Sequence, residues 1–173
     1  MNTSRKYERS GTRGYAHLVE IDVPVVRVWR ALTDAALIRI WLQKDAEIDP
    51  RKHGVVRFGR PGAGGREAHI DIFDPNRRLR LIYMPGPDSP PSDSAIVDDF
   101  LLDVRKGEGT TSLRLLGSGI PESRDWDQAY VRIRTGWERY MARIKVALES
   151  PPKPRKAAAP AKPVDPPLRG LDY

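Results

Sequence analysis

The sequence predicts an α+β fold: a curved antiparallel sheet gripping one long C-terminal helix (helix-grip), with two short helices after the first strand. Three observations carry that prediction. In Tyr15-Ala-His-Leu-Val-Glu-Ile-Asp-Val23, Tyr15, His17, Val19, Ile21 and Val23 share one face and Glu20 and Asp22 the other, the alternation of a half-buried strand. Between 47 and 117, short β-like runs are separated mostly by turns too brief for a crossover, so neighbouring runs must pair antiparallel. After them, Trp126, Tyr130, Ile133, Trp137, Tyr140, Ile144 and Leu148 recur at steps of three and four, one continuous apolar stripe. A sheet with an apolar face needs a cover, and this helix is the element that offers one.

The elements follow in order. Pro24 suits the first turn of a helix, because its missing N–H would find no partner there, and Val25, Val28, Trp29 and Leu32 recur at helical spacing. Asp34 can cap a second short helix running to Leu42, with Leu37, Ile38 and Trp41 on it. Strands are predicted at 47–49, 54–60, 66–74, 78–84, 94–104 and 110–117. They are broken by Asp49-Pro50 to Gly54, Gly62 to Gly65, Asp74-Pro75-Asn76, the Pro/Ser run 85–93 and Gly107-Glu108-Gly109. The 85–93 run is long for a turn and reads as a lid or a variable surface loop. The last helix spans about 123–149 and stops at Ser150-Pro151-Pro152.

Composition sets the outer limits. The chain has 173 residues, enough for one domain that buries a core without a metal or disulfide staple. It contains no cysteine, which excludes disulfides, thiol nucleophiles and cysteine metal sites. The net charge of +7 sits at the ends. Arg5, Lys6, Arg9 and Arg13 face a single Glu8 in residues 1–14, and five basic residues face Asp165 and Asp172 in 151–173. The body between them is almost neutral, so a basic recognition face is not expected, and nucleic acid is left to weak contacts of the tails. Seven of the 16 prolines fall in the last 23 residues, where they block helix and strand alike. The expected organisation is a flexible basic arm at 1–14, the helix-grip domain at 15–150 and a disordered Pro/Lys-rich tail at 151–173. No apolar run approaches a membrane span, and no apolar signal core follows Met1, so a cytoplasmic protein is expected.

Several stretches together resemble a known family. These are Val23-Pro-Val-Val-Arg-Val-Trp-Arg-Ala-Leu-Thr-Asp34, Leu37 to Trp41, Ala46-Glu-Ile-Asp-Pro50, Gly54-Val-Val-Arg-Phe58, Asp74-Pro-Asn-Arg-Arg-Leu79, Gly109-Thr-Thr-Ser-Leu-Arg-Leu115, Gly119 and Gly136-Trp137. Their order resembles the START-like (SRPBCC, helix-grip) superfamily, within it the branch of homologues of the heat-shock-protein-90 ATPase activator. The likeness spans about 15–149. It implies a fold and a cavity between sheet and last helix rather than one reaction, because members bind apolar molecules and a few are cyclases or hydrolases. The chain departs from the family at Trp41-Leu42, where two aromatics are frequent, and at Gly117, where a histidine is.

The candidate ligand-binding residues are Trp41, Phe58, Tyr83, Asp98, Phe100, Tyr130, Ile133 and Trp137, bulky inward positions whose alternative reading is ordinary core. Asp98 is the anomaly among them. The alternation Ile96, Asp98, Phe100, Leu102 puts a carboxylate on the apolar face, where it needs a partner or a raised pKa. Tyr83, His17 or an arginine of the last helix are candidate partners. The alternative is a bulge at Asp98-Asp99 that turns both carboxylates to solvent. His17 reads as a structural histidine at the sheet margin, with catalysis as the alternative; His69 belongs on the solvent face and His53 in a turn. Their spacing does not suit a metal site, and no metal or cofactor is expected. Gly59 to Gly65 lies between strands without a Gly-Lys-Ser/Thr, and Gly117-Ser118-Gly119 lacks the nucleophile elbow, so no catalytic residue is assignable. The expected function is binding of a small apolar or amphipathic molecule in the cavity. A cyclase- or hydrolase-type enzyme using that cavity, or a co-chaperone-like module with a protein partner, are the alternatives.

Overall fold

The computed structural model describes residues 11–42, 45–59, 66–83, 90, 92, 94–105, 107 and 109–150. The first ten residues of the expected arm, the glycine run 60–65, most of the 85–93 run and the tail 151–173 lie outside the described residues. The strands are β1 (Thr12–Ile21), β2 (Glu47–Ile48), β3 (Val55–Phe58), β4 (Arg66–Asp74), β5 (Arg78–Tyr83), β6 (Ile96–Arg105) and β7 (Thr110–Pro121). The helices are α1 (Val25–Thr33), α2 (Ala35–Trp41) and α3 (Asp127–Glu149), with one 3-10 turn at Arg124–Trp126. All seven strands form one antiparallel sheet in the order β1-β7-β6-β5-β4-β3-β2. The helix-grip plan read from the sequence is the one observed.

The connections are those the turn residues dictate. Asp34 accepts a hydrogen bond from the Ala36 amide at 2.9 Å, the cap expected for α2. Asn76 takes φ +63° in the tight β4–β5 turn, a left-handed conformation that Asn tolerates better than most residues, and the Arg77 amide closes that turn on the Asp74 carbonyl at 3.0 Å. The Trp41 indole N–H donates to the Ala31 carbonyl at 2.8 Å, which ties α2 to α1.

Helix α3 lies under the sheet. Trp137, Met141 and Ile144 are buried against Ile21, Leu79, Leu81, Phe100, Leu113 and Leu115. The same helix guards the free edge of β1, whose outward carbonyls would otherwise invite another strand. The Tyr130 hydroxyl donates to the Gly14 carbonyl at 3.1 Å and Lys145 Nζ to the Glu20 carbonyl at 2.6 Å. Just past the Glu20 end of the edge, Glu149 accepts from the Asp22 amide at 2.8 Å.

Three expectations need correction. Strand β7 continues through Gly117-Ser118-Gly119 to Pro121, four residues beyond the predicted end. At Gly119 φ is +81° and an added Cβ would lie 1.9 Å from the Ala95 carbonyl, so those glycines serve a tightly approached strand and not a turn. The chain leaves β1 at Ile21, so Val23 packs beyond the strand. There is no bulge at Asp98-Asp99: β6 pairs without a break to β5 and β7 through both residues. The described register shifts are instead in β1 between Arg13 and Tyr15 and in β4 between Ile70 and Ile72.

Candidate functional site

Unbroken pairing in β6 forces Asp98 and Asp99 to opposite faces. Asp99 points outward and Arg78 chelates it, Nε to Oδ1 at 2.9 Å and Nη2 to Oδ2 at 2.6 Å. Asp98 points inward and is completely buried. Its partner is Tyr15, whose hydroxyl donates to Oδ1. Of the expected partners, His17 is turned away, its Nε2 on the Arg134 carbonyl at 3.0 Å. The arginine whose charge reaches Asp98 is Arg66, at the start of β4 and not on the last helix.

The contact between Tyr15 and Asp98 is built by backbone. Gly117 pairs with Tyr15 on one side and with Asp98 on the other, so it sits between them in the sheet. The ring of Tyr15 lies directly over it, and a Cβ at Gly117 would fall 2.1 Å from that ring. At the register shift Gly14 of β1 faces two residues of β7, Ser118 and Gly119, so the extra residue lies in β7 and Tyr15 comes opposite Gly117 with its ring inward. Gly14 itself has no room for a side chain, because a Cβ there would lie 2.3 Å from the Gly117 carbonyl.

Tyr83 completes the polar cluster. It stands two residues along β5 from Leu81, the register partner of Asp98, and so is its diagonal neighbour on the inner face. Burial pushes the phenols of both Tyr15 and Tyr83 well above the ordinary value, and the nearby Asp98 charge adds to this. Burial also raises the Asp98 carboxyl; the Tyr15 hydrogen bond, the Arg66 charge and the nearness of Tyr83 and Trp137 oppose the rise without cancelling it. Tyr83 and Asp98 lie close enough for both charge and hydrogen bonding to act between them, yet in this arrangement Tyr83 Oη and Asp98 Oδ2 each lack a partner in full hydrogen-bond geometry.

The other candidates fall into four places. Trp41, Phe100 and Trp137 pack together with Tyr140: Phe100 stands edge-on to Trp137 at 5.3 Å, and Trp41 lies 6.4 Å from it. Phe58, half-buried, lies 6.4 Å from the Tyr83 ring, whose face carries the Arg66 guanidinium at 4.0 Å. Ile133 is half-buried and packs on the core. Tyr130 stands apart, at the β1 edge between Gly14 and Arg13, with the Arg13 guanidinium 4.5 Å from its ring centre and paired to Asp127 at 2.7 Å. The structure therefore joins Asp98, Tyr83, Phe58, Phe100, Trp41 and Trp137 along one interior and leaves Tyr130 at its margin. Tyr15, Gly117 and Arg66 were missed. The alternation Tyr15, His17, Val19 was signal enough to place Tyr15 inside, but its pairing across Gly117 needs the register.

Among the described residues, no group of three or more His, Cys, Asp or Glu could hold a metal ion. No helix among them is long and apolar enough to cross a membrane.

Comparison with known proteins agrees with this architecture. The sequence profile of the family described as activator of Hsp90 ATPase homolog 1-like protein matches residues 22–149. The chain belongs to that family. Among solved structures, protein MLL2253 of Mesorhizobium loti is similar, with 25% identity and a TM-score of 0.68 over 79% of this chain and 96% of that one. The Aha1 dimer of Colwellia psychrerythraea gives 21% and 0.67 over 79% and 96%. CalU16 of Micromonospora echinospora gives 23% and 0.62 over 80% and 77%. No curated protein matches the chain significantly.

Proposed function

We propose that this member of the family binds a small apolar or amphipathic molecule between the sheet and α3, with Trp41, Phe58, Tyr83, Phe100, Ile133 and Trp137 around it and Asp98 as its polar anchor. One observation carries the reading. A carboxyl group is completely buried among rings and aliphatic side chains, with one oxygen satisfied by Tyr15 and the other unsatisfied. Packing alone gains nothing from such a group, since an apolar residue there would avoid the desolvation cost. A site that must orient an apolar guest does need one or two polar groups in an otherwise apolar wall. The fold is shared with DynU16, a protein from the dynemicin biosynthetic locus with 18% identity and a TM-score of 0.61, which is consistent with handling small molecules.

Acid–base chemistry at Asp98 is the second reading, favoured by its raised pKa and its bond to Tyr15. The protein-docking reading has less support. The large exposed apolar residues described (Leu18, Val26, Ile40, Val104, Leu116, Val131 and Val146) are spread over six elements. Single apolar side chains on a surface are ordinary. Native mass spectrometry of freshly purified protein tests the binding reading. A co-purified small molecule, displaced by a hydrophobic dye in the wild type and absent from Trp137→Ala, is the expected result. A ligand-free protein to which no dye binds overturns it.

A further inference from the structure

Buried polar atoms are almost always hydrogen-bonded, and each exception in a folded protein asks for a reason. Here two of them are neighbours: Asp98 Oδ2 and Tyr83 Oη. Neither side chain has an easy way out. Asp98 is held by Tyr15 on Oδ1, and Tyr15 in turn is seated over Gly117. The Tyr83 ring is flanked by Phe58 at 6.4 Å and covered by the Arg66 guanidinium at 4.0 Å. Leu81, Phe100 and Trp137, all buried, line the same face.

We infer that Asp98 Oδ2 and Tyr83 Oη together hold one hydroxyl group, so that the bound molecule is an alcohol or phenol on an otherwise apolar frame. The inference rests on the binding function proposed above and adds the chemical class of the ligand. A carboxylate only accepts, and a buried phenol that keeps its proton can donate. A hydroxyl is the smallest neutral group that answers both, giving its proton to Oδ2 while its oxygen accepts from Tyr83. An ether or ketone oxygen would satisfy Tyr83 and leave the carboxylate empty. A ligand carboxylate would meet Asp98 as a like charge. The raised pKa of Tyr83 supports its role as the donor. A site built to hydrogen-bond a hydroxyl rejects the analogue lacking it, because the site's own polar atoms are then left unpaired.

Two matched probe series test this with the full chain at pH 8: naphthalene, 2-methoxynaphthalene and 2-naphthol, then benzene, anisole and phenol. Affinities are read by displacement of a hydrophobic dye and checked by calorimetry. The hydroxyl member of at least one series is expected to bind about tenfold or more tighter than its methyl ether, the factor for one good hydrogen bond. Tyr83→Phe keeps the ring and removes Oη, and is expected to abolish most of that discrimination while still binding the hydrocarbon. If that variant does not fold, as judged by its melting curve, the wild-type comparison decides alone. Equal affinities within each series overturn the inference and leave the binding function standing, the two atoms then being satisfied by water or by each other. No binding of any probe overturns the binding function and this inference with it.

Discussion

A single hydrogen on Gly117 decides where Tyr15 can go. With any larger side chain the ring cannot lie between β1 and β6, and Asp98 loses the Tyr15 hydrogen bond on its carboxyl. Gly117→Ala is therefore expected to lower unfolding stability by about 1–3 kcal/mol, the cost of a buried acceptor left unpaired, plus whatever the displaced ring adds; urea titration measures it. An effect within error would show that Tyr15 repacks freely. Asp98 also ties stability to pH. Its ordinary value is near 3.8 and folding raises it, so the unfolded chain releases this proton more readily than the native one. Stability from this group is complete below about 3.8, then is lost as pH rises through the higher native value. Glu149, lowered by Lys145 and the Asp22 amide, acts with the opposite sign, its contribution being lost as pH falls. The difference between Asp98→Asn and wild type isolates the former: the variant's relative stability is expected to grow with pH between 4 and 8 and to be flat if Asp98 titrates as in the unfolded chain. How far this was legible is instructive. Alternation alone marked Asp98 as a carboxylate on an apolar face. Its partner was not legible, since Tyr15 lies 83 residues away and meets it only across a register that sequence periodicity does not specify.

At the scale of elements, α3 does two jobs with two stripes. Its apolar stripe carries Trp137 into the aromatic group with Trp41, Phe100 and Tyr140. Its flank carries Tyr130 and Lys145 onto the β1 edge. The two should separate by mutation. Trp137→Ala empties a buried ring site and is expected to cost about 3–5 kcal/mol, a large part of a typical total. Tyr130→Phe removes one hydrogen bond at a half-buried site while keeping the ring under Arg13, and is expected to cost about 1 kcal/mol or less. If the two variants unfold at the same urea concentration, the stripe is not the main support of the helix. The apolar stripe was plain in the sequence because seven large residues repeat at helical spacing. The edge-guarding role was not, because Tyr130 satisfies the same periodicity as Trp137 and only the angle at which α3 crosses the sheet separates them. Strand β7 failed at its end for a related reason. The predicted strand stops at Gly117, yet the pairing runs on, and Gly117 and Gly119 are each required by a neighbour that comes too close for a Cβ.

Over the whole molecule, fold and charge are divided along the chain. Residues 15–150 account for one of the seven net positive charges, and residues 1–14 and 151–173 supply the rest. The fold class was legible because antiparallel turns and one amphipathic helix leave few ways to close an apolar sheet. The site was legible only as a set of inward positions, since which of them a ligand touches depends on distances across the sheet. The ends bear on a final expectation. In 151–173, seven prolines withhold backbone donors and five basic residues favour solvent over burial, so the helix-grip body should not depend on this segment. A chain ending at Ser150 keeps α3 whole, because Ser150 closes the helix with its amide on the Val146 carbonyl at 3.0 Å. Loss of 1 kcal/mol shifts the melting temperature of a domain this size by about 2–4 °C, so calorimetry is sensitive enough to decide. The truncated chain is expected to melt within about 2 °C of the full one, by the same scale, and to bind the naphthyl probes equally. It is also expected to lose most of any affinity the full chain has for a DNA duplex, an affinity that falls steeply with salt because it rests on exchanged counterions. A melting temperature lowered by more than a few degrees would mean that the last 23 residues pack on the body. Duplex binding that survives the deletion unchanged would move the polyanion contact to residues 1–150, with the basic residues 5–13 the first to test.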